Sequence, residues 1–227
     1  MGHVDEALHT APLFAGLDDD AADALRATMT DVDLPRGRAL FREGDTGDAL
    51  YTVVSGKVKL GRKAADGREN LLAILGPGEM FGELSVFDPG PRSTTATAVT
   101  RAKLLRLAQA ELMPWLTERP EVAAALLRQL AHRLRRTSES AADLVFTDVP
   151  GRVAKALLDL SQRFGSTAPD GLVVHHDLTQ EELAQLVGAS RETVNKALAD
   201  FVARGWIKLE QRSVTLTDVE RLRRRAR

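Results

Sequence analysis

The sequence predicts an α+β fold: a β-roll or jelly roll, then one long helix, then a winged helix-turn-helix. Three observations predict it. Glycines fall at nearly even spacing through the first half (Gly44, Gly56, Gly67, Gly78 and Gly90), with short apolar runs between them. An unbroken helical pattern runs from Pro120 to Phe146. Near the far end, Leu178 to Leu198 reads LTQEELAQLVGASRETVNKAL, two helical patterns joined at a glycine.

The elements follow in order. A helix over about Ala21 to Met29 precedes the β region of Leu34 to Leu107. There Leu50 to Val54, Val58 to Leu60, Leu71 to Leu75 and Lys103 to Leu107 have strand length, and short strands with regular turn signals favour a sandwich, barrel or jelly roll. The Ser-Gly and Asp-Gly pairs at Gly56 and Gly67 favour tight hairpins. Pro120 with Glu121 suits a first helical turn. Leu127, Leu130, Leu134, Thr137, Ala141 and Leu144 then recur at steps of three and four, a coiled-coil-type seam. Such a helix buries its seam most simply against a second copy of itself, so a symmetric homodimer is expected.

Asp148-Val149-Pro150-Gly151 reads as a hinge, followed from about Arg152 by a helix burying Val153, Ala156, Leu157 and Leu160. Gly165 to Gly171 reads as a loop. Thr179 and Glu182 form a capping box, Gly188 makes the tight turn, and Ser190 caps a second helix that buries Val194, Ala197, Leu198 and Phe201. Gly205 to Leu209 and Ser213 to Leu216 are the strands of a small wing, with Trp206 in the core. His175 and His176 have no metal spacing and read as strand or turn residues.

Composition narrows the function classes. The chain has 227 residues, a formal net charge of -1 and no cysteine, which leaves no disulfide, thiolate zinc site or cysteine-ligated cluster. There is no apolar run long enough for a membrane helix and no apolar signal core near Met1, so a cytoplasmic protein with no membrane partner is expected. The charge is uneven: Val149 to Arg227 holds 13 Lys+Arg against 10 Asp+Glu, and the rest holds 18 against 22. A global charge near zero therefore leaves room for nucleic-acid binding by local positive groups.

Phe81 to Ala98, FGELSVFDPGPRSTTATA, carries the most chemistry. Backbone N–H groups at the start of a turn, the Arg92 guanidinium and the hydroxyls of Ser93 and Thr94 suit a phosphate. Glu83 repels a phosphate, but an ionised carboxylate accepts a hydrogen bond from a ribose 2′-OH, so a nucleotide is expected. The plainer alternative is a surface turn between strands. The segment resembles the phosphate-binding cassette of cyclic-nucleotide-binding domains, FGEL followed by PR-[ST]-x-[TS]-x-x-A. The resemblance implies a site of Phe81, Gly82, Glu83, Leu84, Ser85, Arg92, Ser93 and Thr94. In it the amides of Gly82 to Ser85 and the Arg92 side chain hold the cyclic phosphate, Ser93 adds a hydroxyl, and Glu83 takes the ribose. Cyclic AMP is the expected effector, without a metal, while the Ser93-Thr94 pair leaves cyclic GMP open. The resemblance also implies that Thr137 and Ser138 contact the purine, one from each subunit, and that Arg133 lies near the phosphate. On the residues alone, Thr137 is either a polar seam residue that fixes register or, with neighbouring Ser138, offers hydroxyls to a ligand under the helix.

On the second helix of the helix-turn-helix, Arg191, Glu192, Asn195 and Lys196 face outward, suited to guanine and cytosine edges. The helix N-terminus and the hydroxyls of Thr179, Ser190 and Thr193 are suited to phosphates, which position the helix without reading sequence, and Gln180 completes the expected DNA-binding set. An ordinary solvated helix face is the alternative. ASRETVNKALADF resembles the recognition helix of the cyclic AMP receptor subgroup, which reads a TGTGA-type half-site. Lys196 stands where many members carry Arg, so its guanine contact is expected to be monodentate.

The whole order resembles the Crp/Fnr family of bacterial regulators. It implies a cyclic-nucleotide-binding domain over 1–118, a dimerisation helix and hinge over 119–147, and a DNA-binding domain over 148–227. The expected partners are double-stranded DNA, a second copy, and RNA polymerase, with Arg163 to Gly171 as a candidate polymerase surface. The function implied is a cyclic AMP-responsive transcriptional activator or repressor; a ligand-independent or cyclic GMP-responsive regulator of the same fold is the alternative. A jelly-roll metalloenzyme needs clustered histidines, and Leu34 to Leu107 contains none. No nucleophile–His–acid set stands out either, so an enzyme is not expected.

Overall fold

The structure, a computed structural model, describes residues 11–14, 16–64, 67 and 69–226. These fall into two compact units: residues up to 62 with 73–135, and 63–72 with 136 onward.

In the first unit, α1 (Asp19–Ala27) starts two residues before the expected helix, because the Asp18 carboxylate accepts from Ala21 N at 2.8 Å. Two antiparallel sheets follow, ordered β1-β8-β3-β6 and β2-β7-β4-β5. The strands are β1 (Thr30–Leu34), β2 (Ala39–Phe41), β3 (Ala49–Ser55), β4 (Val58–Lys63), β5 (Glu69–Leu75), β6 (Met80–Phe81), β7 (Thr95–Ala98) and β8 (Ala102–Ala108). The four apolar runs became β3, β4, β5 and β8. The other four strands carry few consecutive apolar residues and are held by register, such as Val32 opposite Leu104 and Leu60 opposite Ala96. Central β3 is buried on both faces until Ser55. One core gathers Phe41, Tyr51, Val53, Val58, Phe81 and Leu104. Phe41, Tyr51 and Phe81 form an aromatic trio with ring centroids 5.5–6.0 Å apart. A second core joins Leu13, Leu25, Leu50, Leu105 and Leu107 to Leu112 of α3 (Gln109–Glu118) and to Val122 and Leu126. Gly56, at φ +81°, turns the chain from β3 in the first sheet to β4 in the second, so the tight hairpin expected there is instead a crossing between sheets; a Cβ there would lie 2.2 Å from the Arg101 carbonyl oxygen. Between β6 and β7 sits α2 (Leu84–Phe87).

The long helix α4 spans Pro120–Phe146, the bounds the sequence predicts. Its first turns bury Val122, Ala125 and Leu126. Farther on, Leu127, Leu134 and Leu144 are exposed, Leu134 at 67%.

The second unit corrects the hinge. Val149, Pro150 and Gly151 are the first turn of α5 (Val149–Phe164), whose cap is Asp148 accepting from Gly151 N at 3.0 Å. Proline costs nothing there, since its missing N–H would have had no helical partner. Along α5, Ala154 is buried and Ala156 only half-buried. The expected loop at Gly165 to Gly171 is a hairpin: β9 (Gly165–Ala168) pairs with β10 (Gly171–Val174). The sheet continues through the wing in the order β11-β12-β10-β9, with β11 Ile207–Glu210 and β12 Ser213–Leu216. Helices α6 (Gln180–Val187) and α7 (Arg191–Ala203) make the helix-turn-helix, and α8 (Val219–Arg225) follows the wing. Arg221, Arg223, Arg224 and Arg225 lie on this helix, with Leu222 buried beneath it.

Candidate ligand and nucleic-acid sites

The cassette is built where β6 ends. Gly82 takes φ +84° and turns the chain into α2; a Cβ at this position would lie 2.8 Å from Arg92 Nη1. This is a close approach that only glycine permits. Arg92 is itself buried, at 4% exposure. Its Nη1 donates to the Gly82 carbonyl and to Ser85 Oγ, and its Nη2 to the Ala49 carbonyl, each at 2.8 Å. Its Cζ stands 4.3 Å from the centre of the Phe41 ring. Burial lowers the pKa of this guanidinium, with Tyr51, Asp48 and Glu83 opposing the shift. The Arg92 Nε has no hydrogen-bond partner.

Glu83 is 2% exposed. Its Oε1 accepts from Arg133 Nη1 at 2.6 Å, and Arg133 Nη2 reaches the Met80 carbonyl at 2.7 Å. The second carboxylate oxygen, Oε2, is buried without a partner. Leaving a charged acceptor buried and unpaired is costly, so the atom is a marker for a missing donor. The cassette thus holds an unmatched donor and an unmatched acceptor.

The structure brings together Phe81, Gly82, Glu83, Ser85, Arg92 and Arg133 through these bonds and the aromatic trio. Leu84 and Ser93 face solvent and Thr94 is half-buried. Arg133 meets Glu83, the residue assigned to the ribose, and its hydrogen bonds go to Glu83 and to the Met80 carbonyl rather than to Arg92 or Ser93. Thr137 and Ser138 are exposed on α4. Among the described residues there is no group of three or more His, Asp or Glu side chains that could hold a metal ion.

In the second unit the predicted capping box is present: Thr179 Oγ1 accepts from Glu182 N at 3.1 Å, and Glu182 Oε2 accepts from Thr179 N at 2.8 Å. Gly188 ends α6 in the left-handed conformation at φ 68°. Ser190 caps α7, accepting from Thr193 N at 3.2 Å. Val194, Ala197, Leu198 and Phe201 are buried as expected, and Trp206 stacks on Phe201 with centroids 5.4 Å apart. Thr179, Gln180, Ser190, Arg191, Glu192, Thr193 and Lys196 are exposed. Asn195 departs from expectation: it is half-buried, and its Oδ1 lies buried with no partner. It directly follows the buried Val194, at the boundary of the packed face rather than on the open one.

Sequence reasoning missed Arg152, which donates to the carbonyls of Thr147 at 2.7 Å and Val187 at 3.0 Å. It thereby satisfies a helix-end carbonyl at the turn of the motif. An arginine in the first turn of α5 carries no sequence signature for that role.

The profile of the cyclic nucleotide-binding domain matches residues 31–118, and that of the Crp-like helix-turn-helix domain matches 151–225. The CRP-like cAMP-activated global transcriptional regulator of Mycobacterium tuberculosis is 59% identical over 224 residues, covering 99% of this chain and 100% of that protein. Among solved structures, the Thermus thermophilus catabolite activator protein is 37% identical with a TM-score of 0.56, covering 95% of this chain and 98% of its own. The c-di-GMP responsive global regulator CLP of Xanthomonas campestris is 29% identical with a TM-score of 0.76, covering 88% of this chain and 99% of its own.

Proposed function

Because this chain belongs to the Crp/Fnr family, we propose that it is a cyclic AMP-responsive, DNA-binding transcriptional regulator acting as a homodimer. The observation that carries the ligand is the pair of unmatched buried atoms, Glu83 Oε2 and Arg92 Nε. A cyclic nucleotide offers what both lack: a ribose hydroxyl to donate to the carboxylate and anionic oxygens to accept from the guanidinium. In this reading residues 1–118 bind the nucleotide, 119–147 carry the dimer helix, and 148–227 read DNA. Ser93 and Thr94 add hydroxyls at the phosphate, and Thr137 and Ser138 close the purine side in the dimer.

For DNA, exposed Arg191, Glu192 and Lys196 are the base-reading groups, and Thr179, Gln180, Ser190 and Thr193 hold phosphates. The exposed seam of Leu127, Leu134 and Leu144 supports pairing of two copies through α4. The β9–β10 hairpin is our candidate surface for RNA polymerase. A cytoplasmic, non-enzymatic role accords with these partners.

For the ligand to act as a switch it must bind the DNA-competent arrangement better than the alternative. The test is binding to a TGTGA-N6-TCACA duplex at fixed salt, with and without cyclic AMP. Tighter binding with cyclic AMP supports the proposal; equal binding, or a response to cyclic GMP alone, overturns the assignment of the effector.

A further inference from the structure

The Ser85 side chain has no role in the reading above, which uses only its amide. Its surroundings give it one. A guanidinium has five N–H donors. The three bonds of Arg92 commit both Nη1 protons, to Gly82 O and Ser85 Oγ, and one Nη2 proton, to Ala49 O. What remains is Nε–H, which has no acceptor, and the second Nη2 proton. These two donors share one edge of the guanidinium plane, the fork that takes two oxygens of one phosphate. The Phe41 ring, 4.3 Å from Cζ, restrains the tilt of that plane. Its rotation within the plane is set by the acceptors at Nη1 and Nη2. Two of these are backbone carbonyls; Ser85 Oγ is the one side chain, and it is buried.

We propose that Ser85 is a positioning residue: its hydroxyl accepts one Nη1 proton and so leaves the Nε/Nη2 edge of Arg92 for the cyclic phosphate. This rests on the cyclic-nucleotide reading. Gly47 belongs to the same arrangement, since a Cβ there would lie 2.2 Å from Ser85 Oγ and 2.8 Å from Arg92 Nε. Holding a charged donor in its productive orientation before the ligand arrives raises affinity by lowering the ordering cost of binding.

The full-length protein and its Ser85→Ala variant are titrated with cyclic AMP by calorimetry and with adenosine, which lacks the phosphate, by ligand-observed NMR. We expect cyclic AMP to bind S85A about tenfold more weakly, the scale of one hydrogen bond to a charged group, and adenosine to bind both proteins alike. In an Arg92→Lys background, where the fork is gone, S85A adds nothing. Should S85A fail to fold by circular dichroism, Ser85→Cys, similar in shape but a weak acceptor, takes its place. Unchanged cyclic AMP affinity, or equal losses for cyclic AMP and adenosine, overturns the role of Ser85 alone. If the unsubstituted protein takes no cyclic AMP, the cyclic-nucleotide reading falls and this proposal with it.

Discussion

Arg133 of α4 meets Glu83 Oε1 at 2.6 Å, while the other oxygen of that carboxylate is buried without a partner. The helix and the nucleotide cassette are therefore joined through one carboxylate, and a ligand hydroxyl bound to Oε2 would share its charge with Arg133. Arg133→Met leaves a buried carboxylate unpaired. Arg133 is itself 31% exposed, which screens part of the loss. We expect a destabilisation of about 1–3 kcal/mol, read from urea unfolding. An unchanged midpoint would mean that the bond contributes nothing to the fold.

The orphaned oxygen of Glu83 makes a separate prediction about the ligand. 2′-Deoxy cyclic AMP lacks the hydroxyl and should bind about tenfold more weakly or worse, by calorimetry. In Glu83→Gln the discrimination between the two nucleotides should shrink, because the amide is a weaker acceptor than the ion. Equal affinities in the unsubstituted protein would remove the ribose role from Glu83.

Leu134 stands exposed at 67% in the middle of the α4 seam. Leu134→Lys places a charge where two copies would meet and costs the single chain little. Sedimentation should then show the protein shifting from dimer to monomer while its unfolding transition changes only through the loss of association. A variant that remains dimeric would move the interface away from this seam.

Asp148 predicts a dependence on pH. Its hydrogen bond from Arg225 lowers its pKa, burial opposes the shift, and the bond from Gly151 N adds to the lowering. A carboxylate depressed in the folded state contributes stability above its ordinary value of about 3.9, and loses it as the pH falls through the folded value. Asp148→Asn should thus be less stable than the unsubstituted protein at neutral pH, and the gap should close on acidification towards pH 3. Urea midpoints across that range check it; a gap independent of pH would leave the ion pair without effect.

Much of this was legible in the sequence, for identifiable reasons. The bounds of α4 follow from Pro120 at its start and the three-four spacing behind it. The capping box and Gly188 are local signals that the second unit leaves intact. Where the reading failed, the signal was ambiguous or absent. Pro150-Gly151 has the composition of a break, yet Asp148 caps the helix and makes the same pair a first turn. Strand β9 is largely exposed, so it has no apolar alternation to read. The partners of Arg92 at Ala49 and Gly82 are backbone carbonyls, which every residue owns. Their role depends on folding and leaves no mark in the side-chain code.

The short passage from α4 to α5 has a consequence for the operator. Only Thr147 and Asp148 separate the two helices, and Arg152 and Arg225 pin both residues. Two residues reach at most about 7 Å, so the passage has no slack with which a reading head could chase a displaced half-site. Half-sites read by a symmetric pair lie about 34–36 Å apart, one turn of the duplex. Each added base pair then moves the second target outward and swings it around the duplex axis by about 35°. A long flexible tether would absorb that error. In the dimer proposed above, that error would be taken up by bending the DNA or by losing one half-site, which would make the spacer length of the operator as much a part of its specificity as its bases.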